Sequence, residues 1–317
     1  MLIRGVLEAF RLRPKTFSAC LCGDAQRVKD ALAEEGVPPE EYGDRITIEH
    51  CTQTVSADDA RSRVWKNKDR AAIVRCIALQ KEGRADASIS AGDSGVLMSA
   101  AIFMLGRREG VSRPALAAFM PTTGTHPVLL LDVGANLDCR PEHLVCFAIM
   151  GAGYVGPFCE RETPRVALLN VGSEPSKGSK VVYEADRVLR RHHRGYRGFV
   201  EGSGVLAGEA DVVVCDGFVG NVLLKASESF HALTRTVLRD QPELLASIQE
   251  HMSILNAENY GAAPLLGIDG VVLKAHGNSS SKAITNAIMK AVTTLENNEA
   301  FRQGPVDRKG YRSTYAA

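Results

Sequence analysis

Four apolar runs in this chain each end in a short loop of Gly with Asp, Asn or Ser. They read ASISAGDSG (87–95), LLLDVGANLD (129–138), VALLNVGSEPSKGSK (166–180) and ADVVVCDGFVGNVLLK (210–225). Ligands of open α/β sheets bind outside the carboxyl ends of parallel strands. Four such loops therefore predict a site built from several adjacent strand ends. The alternative is that Gly and Asp simply form turns at these positions.

The residue types in these loops suit an anion, with phosphate as the expected ligand. Glycine lets backbone N–H groups approach a ligand, and a helix N-terminus after such a loop offers further N–H groups. We expect Lys177 and Asn221 to be catalytic: Lys177 supplies positive charge, and Asn221 caps the helix after Asp216-Gly217 and reaches the ligand. The predicted binding residues of the loops are Gly92, Asp93, Ser94, Gly95, Asp132, Gly134, Asn136, Gly172, Ser173, Asp216 and Gly217.

No side-chain nucleophile is evident among the motifs, so phosphate itself could attack a reacting carbonyl. The chain has no serine elbow, H-E-x-x-H motif or P-loop, and no Asp cluster at metal spacing, so no metal is expected. Its 8 cysteines are scattered without a C-x-x-C pair, which favours free thiols in a reducing cytoplasm.

Composition narrows the class of protein. The 317 residues are 45% hydrophobic, and 38 basic residues against 37 acidic ones give a net charge of +1, which offers no support for nucleic-acid binding. We see no apolar stretch long enough to span a membrane and no signal peptide, and expect a cytoplasmic protein.

Two segments are locally basic and leave two interpretations open. Arg187 to Arg197 reads RVLRRHHRGYR, and residues 62–75 carry five basic side chains around Trp65, the only tryptophan. Each is either a solvated face or the docking surface of an acidic partner.

A third motif, GAGYVG at Gly151, matches the dinucleotide pattern G-x-G-x-x-G. That fingerprint needs a strand before it and a helix after it. Here a helix starting at Pro141 is predicted before it and Pro157 follows, so a helix end explains the glycines better.

The predicted elements alternate as in an α/β protein. Residues 1–10 are expected to be helical without a preceding strand, and residues 229–258 to be helical segments interrupted by Pro242. We expect one domain over residues 1–300 and a polar tail over 301–317.

The chain resembles the bacterial phosphate acyltransferases of phospholipid synthesis, from about Ile73 to Ala291. The resemblance is carried by ISAGDSGVLMSAA, RPALA, LLLDVGANLDCRPEHL, PRVALLNVGSEPSKG, ADVVVCDGFVGN, NYGAAPLLG and KAHGNSS. It implies a Rossmann-like α/β/α fold with a mostly parallel sheet, akin to isopropylmalate dehydrogenases, and a homodimer. It also implies transfer of a fatty acyl group from acyl carrier protein to inorganic phosphate, giving acyl phosphate. No cofactor is implied, peripheral membrane contact is possible, and His276 joins the binding residues.

The sequence departs from the family pattern at several points. It lacks the initial strand with Asp-Ala-Met-Gly-Gly-Asp, and it has Gly92-Asp93-Ser94-Gly95 for Gly-Asn-Thr-Gly. It also has His276-Gly277-Asn278-Ser279-Ser280 for His-Gly-Ser-Ser-Asp, and a shorter region over 229–258. Two alternatives therefore stand beside the acyltransferase: a nicotinamide-dependent dehydrogenase of similar architecture, and a truncated, non-catalytic relative that binds acyl carrier protein.

Overall fold

The computed structural model describes residues 1–37, 43–124, 126–159, 162–174, 177–251 and 261–296. The chain groups into two compact units, residues 1–106 with 260–297 and residues 107–259 with 298–317. The units are thus interleaved along the chain, whereas the sequence predicts one domain over residues 1–300. The predicted tail, 301–317, lies outside the described residues.

The helices and strands are numbered in chain order. The helices are α1 (Leu2–Leu12), α2 (Ala25–Glu34), α3 (Val64–Asn67), α4 (Ala72–Lys81), α5 (Ser94–Met104), α6 (Pro141–Val155), α7 (Lys180–His192), α8 (Gly202–Ala207), α9 (Gly217–Val237), α10 (Pro242–His251) and α11 (Ser281–Glu296). The strands are β1 (Ala19–Gly23), β2 (Ile46–His50), β3 (Ala87–Ser90), β4 (Ala115–Met120), β5 (Val128–Leu131), β6 (Val166–Leu169), β7 (Tyr196–Val200), β8 (Val212–Val214), β9 (Ala263–Leu266) and β10 (Val271–Lys274).

The second unit contains a sheet with the order β4-β5-β8-β6-β7. Its neighbours pair in parallel except for β4 and β5, and Val213 of β8 lies between Leu130 of β5 and Ala167 of β6. The three residues of β8 are fully buried, as expected of a β-branched run covered on both faces. The predicted α/β fold with a mostly parallel sheet is confirmed.

In the first unit, β10 pairs in parallel with β3 and antiparallel with β9, and β1 and β2 form a separate parallel pair. Helix α1 confirms the helix predicted at the start of the chain. It packs on α11 so closely that a Cβ at Gly5 would lie 2.7 Å from Cβ of Ile284. Thr285 of α11 donates its hydroxyl to the carbonyl of Gly5 at 3.0 Å. This contact joins the first helix of the unit to its last.

The four apolar runs that precede the predicted loops are the strands β3, β5, β6 and β8, and β5 begins one residue before its run. Strands β7 and β9 and helix α8 were missed. β7 follows a basic helix and contains Gly198, and β9 contains Pro264, so neither shows an uninterrupted apolar run. The helical prediction over 229–258 holds through α9 and α10, and residues 252–260 lie outside the described residues.

Candidate functional site

The loops that follow β5 and β8 are interlocked. The N–H of Gly217 donates to the carbonyl of Asn136 at 2.7 Å, and the N–H of Asp132 donates to the carbonyl of Cys215 at 3.0 Å. A Cβ at Gly220 would lie 1.9 Å from the carbonyl oxygen of Asp132, so only glycine permits this approach. The structure thus brings six of the predicted residues together, and we call them the strand-end cluster: Asp132, Gly134, Asn136, Asp216, Gly217 and Asn221.

The buried carboxylate of Asp132 stabilises the loop after β5 by hydrogen bonds. This carboxylate is fully buried and accepts hydrogen bonds from the N–H groups of Leu116, Ala135 and Asn136 at 2.9, 3.1 and 2.6 Å. The Asn136 side-chain amide adds a fourth at 2.9 Å. Burial raises the pKa of Asp132, and the donated hydrogen bonds oppose that shift. Asp132 therefore positions the loop, and its predicted contact with a ligand stays a prediction.

Asn136 is also buried and acts within the same network. Besides Asp132, its Nδ2 donates to the carbonyl of Pro114 at 2.8 Å, just before β4. Its side chain therefore ties the loop after β5 to the chain entering β4.

The N-terminus of α9 is capped by Asp216 rather than by Asn221. The Asp216 carboxylate accepts from the N–H of Val219 at 2.9 Å, while the N–H of Gly217 is bonded to Asn136. The prediction that Asn221 caps this helix is wrong, because the helix starts at Gly217 and Asn221 lies in its second turn. The expected free N–H groups are likewise absent at Gly217 and Val219.

Asn221 instead lies over the glycine of the neighbouring loop. Gly134 has φ +129°, and a Cβ added there would be 3.7 Å from both Cβ and Oδ1 of Asn221. The residue is exposed to solvent. Its amide therefore borders a backbone stretch that adopts a conformation favoured by glycine.

The loop after β6 leaves the sheet at the same edge, because β6 is parallel to β8. It carries Gly172, exposed Ser173 and Lys177. The stem of Lys177 crosses Gly172, where an added Cβ would lie 2.4 Å from Cδ of the lysine. Its Nζ pairs with the Glu174 carboxylate at 2.8 Å, and this contact raises the pKa of Lys177. Both side chains are about half exposed, so the pair holds the ammonium only weakly.

A second cation at this edge was missed by the sequence analysis. Arg113 directly precedes Pro114, and antiparallel pairing of β4 with β5 brings it to the carboxyl end of β5. Its Nη1 lies 3.4 Å from the carbonyl of Asp138. The only signal was its place in RPALA, whose position depends on an antiparallel pairing that the motif does not reveal.

Two cysteines lie beside the cluster, and both are held as thiols. Burial, followed by the charge of Asp132, raises the pKa of Cys139 to about 12, and Arg113 opposes this only in part. The same two causes raise the pKa of Cys215 well above its usual value. Neither cysteine is therefore suited to be a thiolate nucleophile at neutral pH.

The remaining predicted residues, Gly92, Asp93, Ser94, Gly95 and His276, belong to the first unit. Their loops follow the parallel strands β3 and β10, and the N–H of Ala275 donates to the carbonyl of Ser90 at 2.9 Å. Asp93 caps α5 through the N–H of Val96 at 3.0 Å and pairs with Arg61 at 3.0 Å. Nδ1 of exposed His276 accepts from the N–H of Asn278 at 3.2 Å.

The described residues contain no group of three or more His, Cys, Asp or Glu side chains arranged to hold a metal ion. GAGYVG lies in the last turns of α6 and the 3-10 turn Gly156–Phe158, not between a strand and a helix. The strand that a dinucleotide site requires before these glycines is therefore replaced by a helix, and the motif does not support nucleotide binding. Over the same described part of the chain, no helix is long and apolar enough to cross a membrane.

We expect Asp132→Asn to lower the free energy of unfolding by about 1–3 kcal/mol, because an amide NH₂ would replace an acceptor facing buried N–H donors. Urea denaturation followed by circular dichroism measures this change. Asp138→Asn, an exposed substitution in the same loop, is the matched control and should stay within about 0.5 kcal/mol of the parent. Equal stability of the two variants would contradict the positioning role of Asp132.

This chain matches one protein family along most of its length. The family described as "Fatty acid synthesis protein" matches residues 1–302. The "Phosphate acyltransferase" of Sulfurovum sp. (strain NBC37-1) is 38% identical over 307 residues, covering 93% of this chain and 90% of that protein. The protein of the same name from Bacillus licheniformis is 38% identical over 319 residues, covering 97% and 94%.

Two solved structures of similar fold are phosphotransacetylases. One from Streptococcus pyogenes has a TM-score of 0.61 at 18% identity, and the EutD enzyme of Staphylococcus aureus has 0.59 at 17%. Each comparison covers 93% of this chain and 91% of the other, and at these identities it supports the fold alone. Together with the family match, the sequence relatives establish that this chain belongs to the fatty acid synthesis protein family and is a relative of the phosphate acyltransferases.

Proposed function

We propose that this chain transfers a fatty acyl group from the thioester of acyl carrier protein to inorganic phosphate, giving acyl phosphate for phospholipid synthesis. The observation that carries the proposal is a loop cluster at three adjacent parallel strand ends in which the cysteines are buried thiols. Acyl transfer there would use phosphate itself as the nucleophile, and no acyl-enzyme intermediate would form.

The transfer needs only the thioester and phosphate as reactants. A phosphate oxygen attacks the thioester carbonyl carbon, the C–O bond forms and the C–S bond breaks. The sulfur leaves with the bonding electrons and takes the proton that the acylated phosphate gives up, which yields the free carrier thiol. Asn221 would donate its amide N–H to the developing oxyanion, and Lys177 or Arg113 would offset the phosphate charge.

The buried network supports this arrangement by positioning. Asp132 and Asn136 fix the loop of Gly134, and Gly217 and Gly220 allow α9 to approach it closely. Gly92, Asp93, Ser94, Gly95, Gly172, Ser173 and His276 remain predicted binding residues. Together these contacts would hold Asn221 and the phosphate in a fixed geometry. Most of the rate gain is expected from this positioning.

The direct test is to incubate the parent protein with acyl-acyl carrier protein and phosphate. Free thiol should appear only when phosphate is present, with an equal amount of acyl phosphate trapped as its hydroxamate. Thiol release independent of phosphate would overturn the proposal. Carrier binding without any release would favour the non-catalytic relative, and binding of a nicotinamide nucleotide would favour the dehydrogenase.

We predict that Asn221→Ala lowers turnover by roughly 10²-fold or more while the melting temperature stays near that of the parent. The residue is exposed and does not cap its helix, so little stability depends on it. Lys225→Ala, one turn further along α9, is the control and should keep its turnover. Normal turnover of Asn221→Ala would remove the residue from the mechanism.

We predict that one of the two cations at this edge binds phosphate. Loss of that group should cost about 10²–10³ in rate and raise the KM for phosphate. Lys177→Ala and Arg113→Gln are compared under varied phosphate, with Lys180→Ala as a control for an exposed lysine in the same loop region. If both variants match the control, neither side chain neutralises the phosphate.

We also propose a homodimer formed through α9. Its exposed residues Phe218, Val222, Phe230, Leu233 and Val237 recur at helical spacing. A continuous apolar face of this kind marks an interaction surface.

Light scattering should give twice the 34.1 kDa of one chain for the parent and a single chain for Leu233→Glu/Val237→Glu. Leu12→Glu, an exposed leucine of the first unit, is the control. A monomeric parent that co-sediments with vesicles would assign the face to membrane contact instead.

A further inference from the structure

A stacked pair of aromatic rings, of which Phe103 is exposed and Trp65 is half-buried, lies on the first unit, outside the residues assigned to the reaction. Trp65 of α3 and Phe103 of α5 stack with centroids 4.9 Å apart and planes inclined by 15°. Phe103 is 57% exposed. Trp65 is held in place because its indole N–H donates to the carbonyl of Ser62 at 3.0 Å. The exposed Phe103 ring is thus supported by an indole that is held in place.

The segment that carries Trp65 is rich in basic residues. Residues 61–70 contain five basic side chains and one acidic residue, Asp69, and α5 contains no charged residue. Asp59 nearby is paired with Lys68 at 2.7 Å. Arg61, Arg63, Lys66 and Arg70 are the exposed basic residues of this segment. The three nearest Trp65 in the sequence define, with the two rings, the Trp65–Phe103 surface: Arg61, Arg63, Trp65, Lys66 and Phe103.

This surface starts at one of the predicted ligand loops. Arg61 bonds the Asp93 carboxylate, and its Cδ would lie 2.9 Å from a Cβ at Gly95. Phe103 lies near the other end of α5, about 14 Å along the helix axis from its start. The surface therefore extends from the loop after β3 along the first unit.

The other basic segment of the chain is less suited to docking. Arg190 is bonded to the buried Asp186 carboxylate at 2.9 Å and lies over the Tyr196 ring. The arginines around it, Arg187, Arg191 and Arg194, lie toward the C-terminal end of α7. That helix begins after the loop of Lys177 and returns to the start of β7, so its end lies at the amino edge of the sheet. Thirteen residues of helix place that end about 20 Å from the loop.

We propose that the Trp65–Phe103 surface is the docking site of an acidic protein domain that carries the acyl thioester. The proposal rests on the proposed acyl transfer and adds where its donor binds. Aromatic and arginine side chains dominate the energetics of protein interfaces, and surrounding charge speeds encounter with a partner of opposite sign. Phe103 is the exposed ring of the pair and the segment beside it is basic, so the surface offers little apolar area to a bilayer, which favours a protein partner over a membrane.

The test compares two donors of the same acyl group, the acyl carrier protein thioester and the acyl-coenzyme A thioester, which lacks the protein domain. Phe103→Ser and Arg63→Glu/Lys66→Glu change exposed side chains and leave Arg61, which supports Asp93, in place. Each should raise the KM for the carrier thioester about tenfold and leave the acyl-coenzyme A reaction unchanged. The charge-reversed variant should also lose most of the salt dependence of that KM. Arg187→Glu/Arg191→Glu on α7 is the matched control and should behave as the parent.

Three other outcomes would contradict the docking site or the proposed function. A rise in the KM only for the α7 variant, or for no variant, would overturn the docking site while leaving the transfer reaction intact. Loss of binding to phosphatidylglycerol vesicles with an unchanged carrier KM would assign the surface to a membrane and also overturn it. Absence of phosphate-dependent release in the parent with both donors would instead contradict the proposed function.

Discussion

The buried carboxylate of Asp132 is the interaction on which the second unit depends most. A charge taken out of water is costly unless donors surround it, and this one receives four hydrogen bonds from the backbone and from Asn136. Those donors come from the start of β4 and from the loop after β5. One side chain thereby fixes the antiparallel strand, the loop and, through the carbonyl of Asn136, the start of α9.

Both groups of predicted residues contain an aspartate that caps the helix after its strand. Asp93 and Asp216 each follow a strand and each accept a backbone N–H in the first turn of the next helix. A capping carboxylate uses the positive end of the helix that an anion would otherwise occupy. In the proposed reaction, neutralisation of the phosphate would therefore fall to side chains such as Lys177 and Arg113, and to glycine backbone outside these caps.

Much of this arrangement was accessible from the sequence, and the exceptions have physical causes. The β-branched run of β8 and the glycine loops after β5, β6 and β8 predicted adjacent strand ends, since local pattern reports burial and turns directly. The cap of α9 was misassigned because Asp216 and Asn221 are both good capping residues, and only the observed start of the helix distinguishes them. Arg113 and the pairing of β4 depend on contacts between distant segments, which periodicity does not encode.

The interleaving of the two units has a consequence for the order of folding during synthesis. The described residues of the second unit all come from one segment, 107–259, and its strands β4 to β8 are all made before β9 leaves the ribosome. The first unit cannot be completed at that stage, because α1 packs on α11 and β3 pairs with β10. Its apolar faces therefore stay uncovered while residues 107–259 are made. Such an interval is when nascent chains are most prone to aggregation and most dependent on chaperones.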